Sequence, residues 1–102
     1  MNLSKILKQV NVLYKNELPD LDINHITDNS REVKPGSMFV AVKGYAHDGH
    51  VYIDEAIRNG AQIIVGEDNL TLTVPYVQVE NSKEALGRML CEFYHHPSSH
   101  KK

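Results

Sequence analysis

Two apolar segments joined by one short amphipathic segment constrain the fold of this chain more than any other feature. Residues 38–42 and 62–65 each have the length of a strand, and an uninterrupted apolar run is typical of a strand covered on both faces by helices. Between them, residues 51–59 carry apolar side chains on one face, and Gly60 is placed to end that helix. The pattern predicts a βαβ unit with parallel strands and a right-handed crossover.

The flanking sequence adds further elements to this unit. The predicted elements are a helix over 3–11, strands over 23–27 and 76–79, a tight turn at 34–37, and a helix opened by the capping box of Asn81 and Glu84 and stopped by Pro97. At 102 residues the chain has room for one core. We therefore predict the α/β class, with a small mixed β-sheet and a βαβ unit flanked by helices, in a single domain over residues 1–102.

Charge and composition exclude several functional classes. Eleven Lys and Arg against 13 Asp and Glu give a net charge of −2, which argues against a nucleic-acid binder that works by bulk charge. No apolar run approaches a membrane span, and the amino terminus lacks the apolar core of a secretory signal. A single cysteine cannot form an internal disulfide framework. We expect a cytoplasmic location, no nucleic-acid or membrane partner, and a monomer.

The loop from Gly44 to Gly49 is the first candidate site, because it follows the predicted central strand and precedes a helix. Ligands of open α/β sheets collect beyond the carboxyl ends of the strands. Tyr45 offers a ring for stacking, the two glycines allow close backbone approach, and Asp48 offers a carboxylate. A structural turn with Asp48 as the helix cap explains the loop equally well. The loop does not match a phosphate-loop consensus.

The second candidate site is the polar run from Asp28 to Arg31, which leaves the early strand. Its hydroxyl, amide and guanidinium groups are donors suited to a phosphate or a carboxylate. From the residues alone, we favour a simpler interpretation, an Asx turn with Arg31 in a structural ion pair.

Six histidines and one cysteine raise the question of a metal site or a thiol nucleophile. His47 and His50 are three residues apart and His95 and His96 are adjacent, but neither pair belongs to a metal-binding motif. We predict no metal site. Cys91 lies beside the apolar stripe of the last helix, where we expect a buried and inert thiol.

A series of short motifs, in a fixed order, resembles one family. The motifs are Asn29-Ser30-Arg31, Val33 with Pro35-Gly36, Met38-Phe39-Val40-Ala41, Gly44, Asp48-Gly49-His50, Ile53 with Ala56-Ile57, Gly60-Ala61, and Phe93-Tyr94 with Pro97-Ser98. From about residue 23 onward the chain is similar to the amino-terminal domain of the Mur ligases. The Phe-Tyr-x-x-Pro-Ser ending is similar to the UDP-N-acetylmuramoyl-dipeptide ligases of the MurE type, which add the third residue of the peptidoglycan stem peptide.

The resemblance implies a domain that binds the UDP end of a UDP-N-acetylmuramoyl-peptide and supplies no catalytic residue. By position, the substrate-binding residues are Asp28, Asn29, Ser30, Tyr45, Ala46 and His47. Asn29 stands where the family usually has Asp, which removes a charge but keeps the capacity to form a turn.

The resemblance also implies that ATP and Mg²⁺ bind to central and carboxyl-terminal domains that are absent here, so that this fragment alone is inactive and has no cofactor. Two alternatives stay open. One is the amino-terminal domain of the next Mur ligase, which adds D-Ala-D-Ala, and the other is a non-catalytic α/β module that binds a nucleotide or a partner. The choice between meso-diaminopimelate and L-lysine as the added residue is not determined by these residues.

Overall fold

The fold is a five-stranded β-sheet with helices on both faces, seen in a computed structural model that describes residues 3–7, 10, 12–15, 21–43, 49–68 and 72–94. The elements are α1 (Leu3–Leu7), β1 (Val12–Lys15), β2 (His25–Thr27), β3 (Ser37–Val40), α2 (Ile53–Arg58), β4 (Ile63–Gly66), β5 (Tyr76–Val79) and α3 (Ser82–Tyr94). Short 3₁₀ helices at Ser30–Glu32 and Gly49–Tyr52 precede β3 and α2.

The strand order β1-β5-β4-β3-β2 confirms the predicted mixed sheet. Strands β2 to β5 pair in parallel with their neighbours, and β1 pairs antiparallel with β5. The predicted parallel pairing of the two apolar strands is confirmed, since Met38 lies opposite Ile63 and Val40 opposite Val65. All the carboxyl ends of β2 to β5 therefore lie at one edge of the sheet.

Strand β3, which lies between β2 and β4, is covered on both faces, as its apolar sequence predicts. Met38 and Val40 point into one core cluster, which contains side chains of α1 and α3. Phe39 and Ala41 point into a second cluster, which contains side chains of α2. All four side chains are 0% exposed, so this strand supplies the centre of both cores.

Two glycines fix the turns at the amino edge of the sheet. Gly36 has a φ of +91°, and the Ser37 N–H donates to the Lys34 carbonyl at 2.9 Å, which confirms the predicted turn. Gly60 has a φ of +110° just after α2, and a Cβ there would lie 2.8 Å from the Pro35 nitrogen. Since L side chains rarely adopt these φ values, both positions favour glycine.

The structure corrects four details of the sequence prediction. Strand β1 was not predicted, and most of the predicted helix 3–11 beyond Leu7 lies outside the described residues. The predicted strand 23–27 is regular only from His25. The predicted helix 51–59 is α-helical only from Ile53.

The fourth correction concerns Cys91, which is exposed rather than buried. It lies two positions from the fully buried Met89, and residues so spaced do not share a helix face. The predicted stop of α3 at Pro97 lies outside the described residues. Within the described ranges, none of the helices has the length and apolar character needed to cross a membrane.

Candidate functional site

An open cleft of about 510 Å³ lies beyond the carboxyl ends of β2 and β3. The described residues that line it are Asp28, Asn29, Ser30, Arg31, Val42, Gly49, Tyr52 and Glu55. This is the edge where open parallel sheets bind ligands, because loops there are free to vary without disturbing the strands. The cleft brings together residues of the first candidate site, of the second, and of helix α2.

The turn after β2 is held by the side chain of Asn29. Its Oδ1 accepts the Arg31 N–H at 3.0 Å and its Nδ2 donates to Glu32 at 3.3 Å. Its own N–H donates to the Thr27 hydroxyl at 3.0 Å. Asn29 is thus the cap of the 3₁₀ helix, which confirms the Asx-type turn. The turn also forms one wall of the cleft. A structural role for Asn29 is therefore compatible with a binding role for the same turn.

Helix α2 holds Ser30 from two sides. The Ser30 hydroxyl donates to Glu55 Oε1, and the Ser30 carbonyl accepts the side-chain amide of Asn59 at 2.9 Å. Ser30 is 5% exposed although it lines the cleft. The hydroxyl and the carbonyl of Ser30 are therefore both held by residues of α2 and its carboxyl-terminal cap.

Val42 and Gly49, which flank the loop predicted to contact a ligand, lie next to each other. The Gly49 N–H donates to the Val42 carbonyl at 2.8 Å. A Cβ on Gly49 would lie 2.7 Å from the Val42 nitrogen, so this close approach requires glycine. Tyr45, Ala46 and His47 lie outside the described residues, and their assignment stays a prediction.

Both flanks of that loop are anchored to the turn after β4. Before the loop, Lys43 Nζ lies 2.8 Å from Asp68 Oδ1, and the Lys43 N–H donates to the Ser82 hydroxyl at 3.2 Å. After the loop, His50 Nε2 accepts the N–H groups of Glu67 at 2.9 Å and Asp68 at 3.3 Å. Lys43 and His50, on either side of the loop, are therefore tied to the turn after β4 and to the start of α3.

Two titratable groups at this anchor, Glu67 and Tyr76, have shifted pKa values. Burial opposes ionisation of Glu67, but the N–H and hydroxyl of Ser82 and the charge of Lys43 lower the pKa of that carboxyl below 4.5. Burial, with the nearby charges of Asp68 and Glu67, raises the pKa of Tyr76 to about 12. The Tyr76 hydroxyl donates to the Asp68 carbonyl. These groups brace the turn.

Asp28, Asn29 and Ser30 all line the cleft, and their assignment as substrate-binding residues stays a prediction. Over the described ranges, no three His, Cys, Asp or Glu side chains are grouped so as to hold a metal ion. Tyr52 and Glu55 also line the cleft, and neither was predicted from the sequence. Glu55 lies 25 residues from its partner Ser30, and helical periodicity marks it only as a polar position.

Comparison with known proteins places this arrangement in a family. A sequence model described as "Mur ligase family, catalytic domain" matches residues 22–94. The UDP-N-acetylmuramoyl-L-alanyl-D-glutamate–2,6-diaminopimelate ligase of Lactiplantibacillus plantarum is 46% identical over 79 residues, which is 78% of this chain and 16% of that protein. The ligase of the same name from Cytophaga hutchinsonii is 36% identical over 103 residues, covering 97% of this chain and 21% of its own length.

Solved structures show the same fold. A crystal structure of MurF from Acinetobacter baumannii superposes with a TM-score of 0.74 at 23% identity, covering 87% of this chain and 20% of that one. MurF from Thermotoga maritima, solved in complex with ADP, superposes with a TM-score of 0.61 at 41% identity. The match covers 74% of this chain and 18% of that one.

The fold is that of an α/β domain with an open cleft beyond the carboxyl ends of its parallel strands, and the matches identify its family. The chain belongs to the Mur ligase family. The predicted fold is thereby confirmed. The chain spans 16% and 21% of the length of the two curated relatives described above.

Proposed function

We propose that this chain holds the UDP end of a UDP-N-acetylmuramoyl-peptide for an ATP-dependent ligase of bacterial peptidoglycan synthesis. The proposed reaction adds the third stem-peptide residue, meso-diaminopimelate or L-lysine, to UDP-N-acetylmuramoyl-L-alanyl-D-glutamate. The observation that carries the proposal is the cleft at the carboxyl edge of β2 and β3, where Asp28, Asn29 and Ser30 converge. The names of the two curated relatives support this step.

The proposal divides the work between this chain and further ligase domains. No Gly-x-x-x-x-Gly-Lys-Ser/Thr motif occurs in the 102 residues, so ATP, Mg²⁺ and acyl phosphate formation are assigned to those domains. The ADP bound to the Thermotoga maritima relative supports nucleotide use in the family. This chain contributes binding energy remote from the reacting carboxylate, which positions that carboxylate for reaction. A monomeric protein in the cytoplasm is part of the proposal.

Addition of D-Ala-D-Ala by the next ligase is the second candidate. It is favoured by the 41% identity to MurF of Thermotoga maritima. Reading the gene beyond codon 102 is the first test, because a ligase requires a phosphate loop shortly downstream. If none follows, the chain is a non-catalytic binding module. If one follows, assays of the encoded enzyme with diaminopimelate, lysine and D-Ala-D-Ala separate the two steps.

A chimeric enzyme tests the substrate-binding role directly. In it, this chain replaces the matching segment of the Lactiplantibacillus plantarum ligase, and the ligation rate is measured against the UDP-linked dipeptide. We expect an active chimera in which Ser30→Ala raises KM about 2- to 13-fold with little change in kcat, since one neutral hydrogen bond is lost. Lys83→Ala, on the exposed face of α3, is the matched control and should leave KM unchanged.

Two results would contradict this role of Ser30. One is a folded but inactive chimera. The other is a Ser30→Ala chimera with a lowered melting temperature and an unchanged KM, which would make Ser30 a residue of the turn alone.

A further inference from the structure

The hydrogen bond between Ser30 and Glu55 fixes the orientation of the Ser30 hydroxyl proton. The Ser30 hydroxyl is the donor in this contact, and Glu55 Oε1 is the acceptor. The hydroxyl oxygen keeps its two lone pairs, which remain available as acceptors. Because the hydroxyl proton of Ser30 is donated to Glu55, the hydroxyl is able only to accept a hydrogen bond from a ligand in the cleft.

Helix α2 keeps the hydroxyl in that state. Asn59 lies one helical turn after Glu55, and its amide donates to the Ser30 carbonyl at 2.9 Å. The Ser30 backbone is therefore fixed by one residue of the helix while its hydroxyl is oriented by another. Rotation of the hydroxyl proton toward a ligand would break its bond to a carboxylate, and such charge-assisted bonds are the stronger kind.

The remaining charges near Ser30 favour the same kind of ligand group. Two carboxylates, Asp28 and Glu55, line the cleft with it, and Arg31 is the one cation among the described lining residues. A phosphate beside Ser30 would lie near both carboxylates, which disfavours a second negative charge. The proton of the Ser30 hydroxyl would not be available to it, because that proton is donated to Glu55. A neutral group that donates an N–H or O–H meets acceptors instead.

We propose that Glu55 is a positioning residue that holds the Ser30 hydroxyl as an acceptor, so that this part of the cleft selects a neutral hydrogen-bond donor of the nucleoside rather than a phosphate. The inference rests on the proposed binding of UDP and specifies which end of UDP meets Ser30. In uridine the available donors are the imide N–H of the base and the hydroxyls of the ribose. This differs from the expectation that residues 28–31 donate to a phosphate or a carboxylate.

The test measures dissociation constants for the 102-residue chain by NMR titration with four probes. Uridine carries both kinds of donor, 3-methyluridine lacks the imide N–H, 2′-deoxyuridine lacks one ribose hydroxyl, and inorganic pyrophosphate carries only the anion. The parent should bind uridine about 2- to 13-fold more tightly than the one analogue that lacks the recognised donor. Pyrophosphate should leave the amide resonances of residues 28–31 unshifted.

Variants of Glu55 and Ser30 test whether Glu55 causes the preference for uridine over the analogue that lacks the recognised donor. Glu55→Ala and Ser30→Ala should both abolish the discrimination between uridine and that analogue, and combining them should cause no further loss. Glu55→Gln keeps an acceptor oxygen and should retain the discrimination. Asp54→Ala removes a carboxylate from the exposed side of the same helix turn and should behave as the parent. Should Glu55→Ala fail to fold, Glu55→Leu replaces it, because leucine removes the acceptor while keeping most of the side-chain volume, and it should likewise abolish the discrimination.

Each contrary outcome has a distinct meaning. Undiminished discrimination in Glu55→Ala, or pyrophosphate shifts centred on Ser30, would overturn the positioning role while leaving UDP binding intact. A parent chain that binds neither uridine nor UDP would refute the proposed function, and the positioning role with it.

Discussion

Replacing Gly49 with alanine is expected to destabilise the fold by about 1–3 kcal/mol, the usual cost of forcing an extra carbon into a packed site. The new Cβ would lie 2.7 Å from the Val42 nitrogen, 3.0 Å from the Val42 oxygen and 3.1 Å from the Ala41 carbonyl carbon. All three are backbone atoms, so no side-chain rotation relieves the contact. One segment has to move by several tenths of an ångström, and the 2.8 Å hydrogen bond between Gly49 and Val42 has to lengthen.

Thermal unfolding followed by circular dichroism measures this effect. For a domain of this size, 1 kcal/mol corresponds to about 4–8 °C in Tm, so Gly49→Ala should melt at least about 4 °C below the parent. Gly87→Ala is the matched control, because Gly87 is exposed within α3 and a Cβ there meets nothing within 4 Å. That variant should be more stable by up to about 1 kcal/mol, since alanine favours a helix.

The same variant connects the loop to binding. Because Val42 and Gly49 both line the cleft, displacement of either should weaken UDP binding below the melting transition. A Gly49→Ala protein that melts with the parent and binds UDP equally well would refute the reasoning about loop closure.

Three further predictions concern stability. Asn81→Ala removes the acceptor of the Glu84 N–H at the start of α3 and should lower the unfolding free energy by about 0.5–2 kcal/mol, with an unchanged urea m-value; an unchanged midpoint would contradict it. Met89→Ala, at a side chain that is 0% exposed, should cost about 2–5 kcal/mol, and a loss under about 1 kcal/mol would be inconsistent with the core described. Because the folded state lowers the pKa of Glu67, its ionised form stabilises the fold above the unfolded value of 4.5, and that contribution disappears as pH falls through the lowered value. Glu67→Gln should therefore flatten the acid limb of a urea-denaturation series, and an unaltered limb would count against this role.

The central part of the fold is predictable from sequence because its signals are local and periodic. The apolar run of β3 and the glycine after α2 each specify a conformation without reference to distant residues. Strand β1 is different, since its four residues carry no such signal and become a strand by pairing with β5.

Some residues of the candidate site are likewise recognisable from the sequence, and others are not. Asp28, Asn29 and Ser30 are recognisable because they leave a strand together in a polar run. Glu55 and Asn59 are not, because they meet Ser30 across separations of 25 and 29 residues. Such contacts exist only after the sheet and α2 have assembled, and no spacing along the chain encodes them.

The central claim is that the cleft at the carboxyl edge of β2 and β3 binds the uridine end of UDP. An NMR titration of the ¹⁵N-labelled chain with UDP, and with ADP as the matched control, tests it most directly. Binding as proposed should shift the amide resonances of residues 28–31, Gly49, Tyr52 and Glu55 in a saturable way, with ADP producing much smaller shifts. UDP shifts confined to the amino edge of the sheet, around Asn24 and Gly36, or equal shifts with both nucleotides, would contradict the claim.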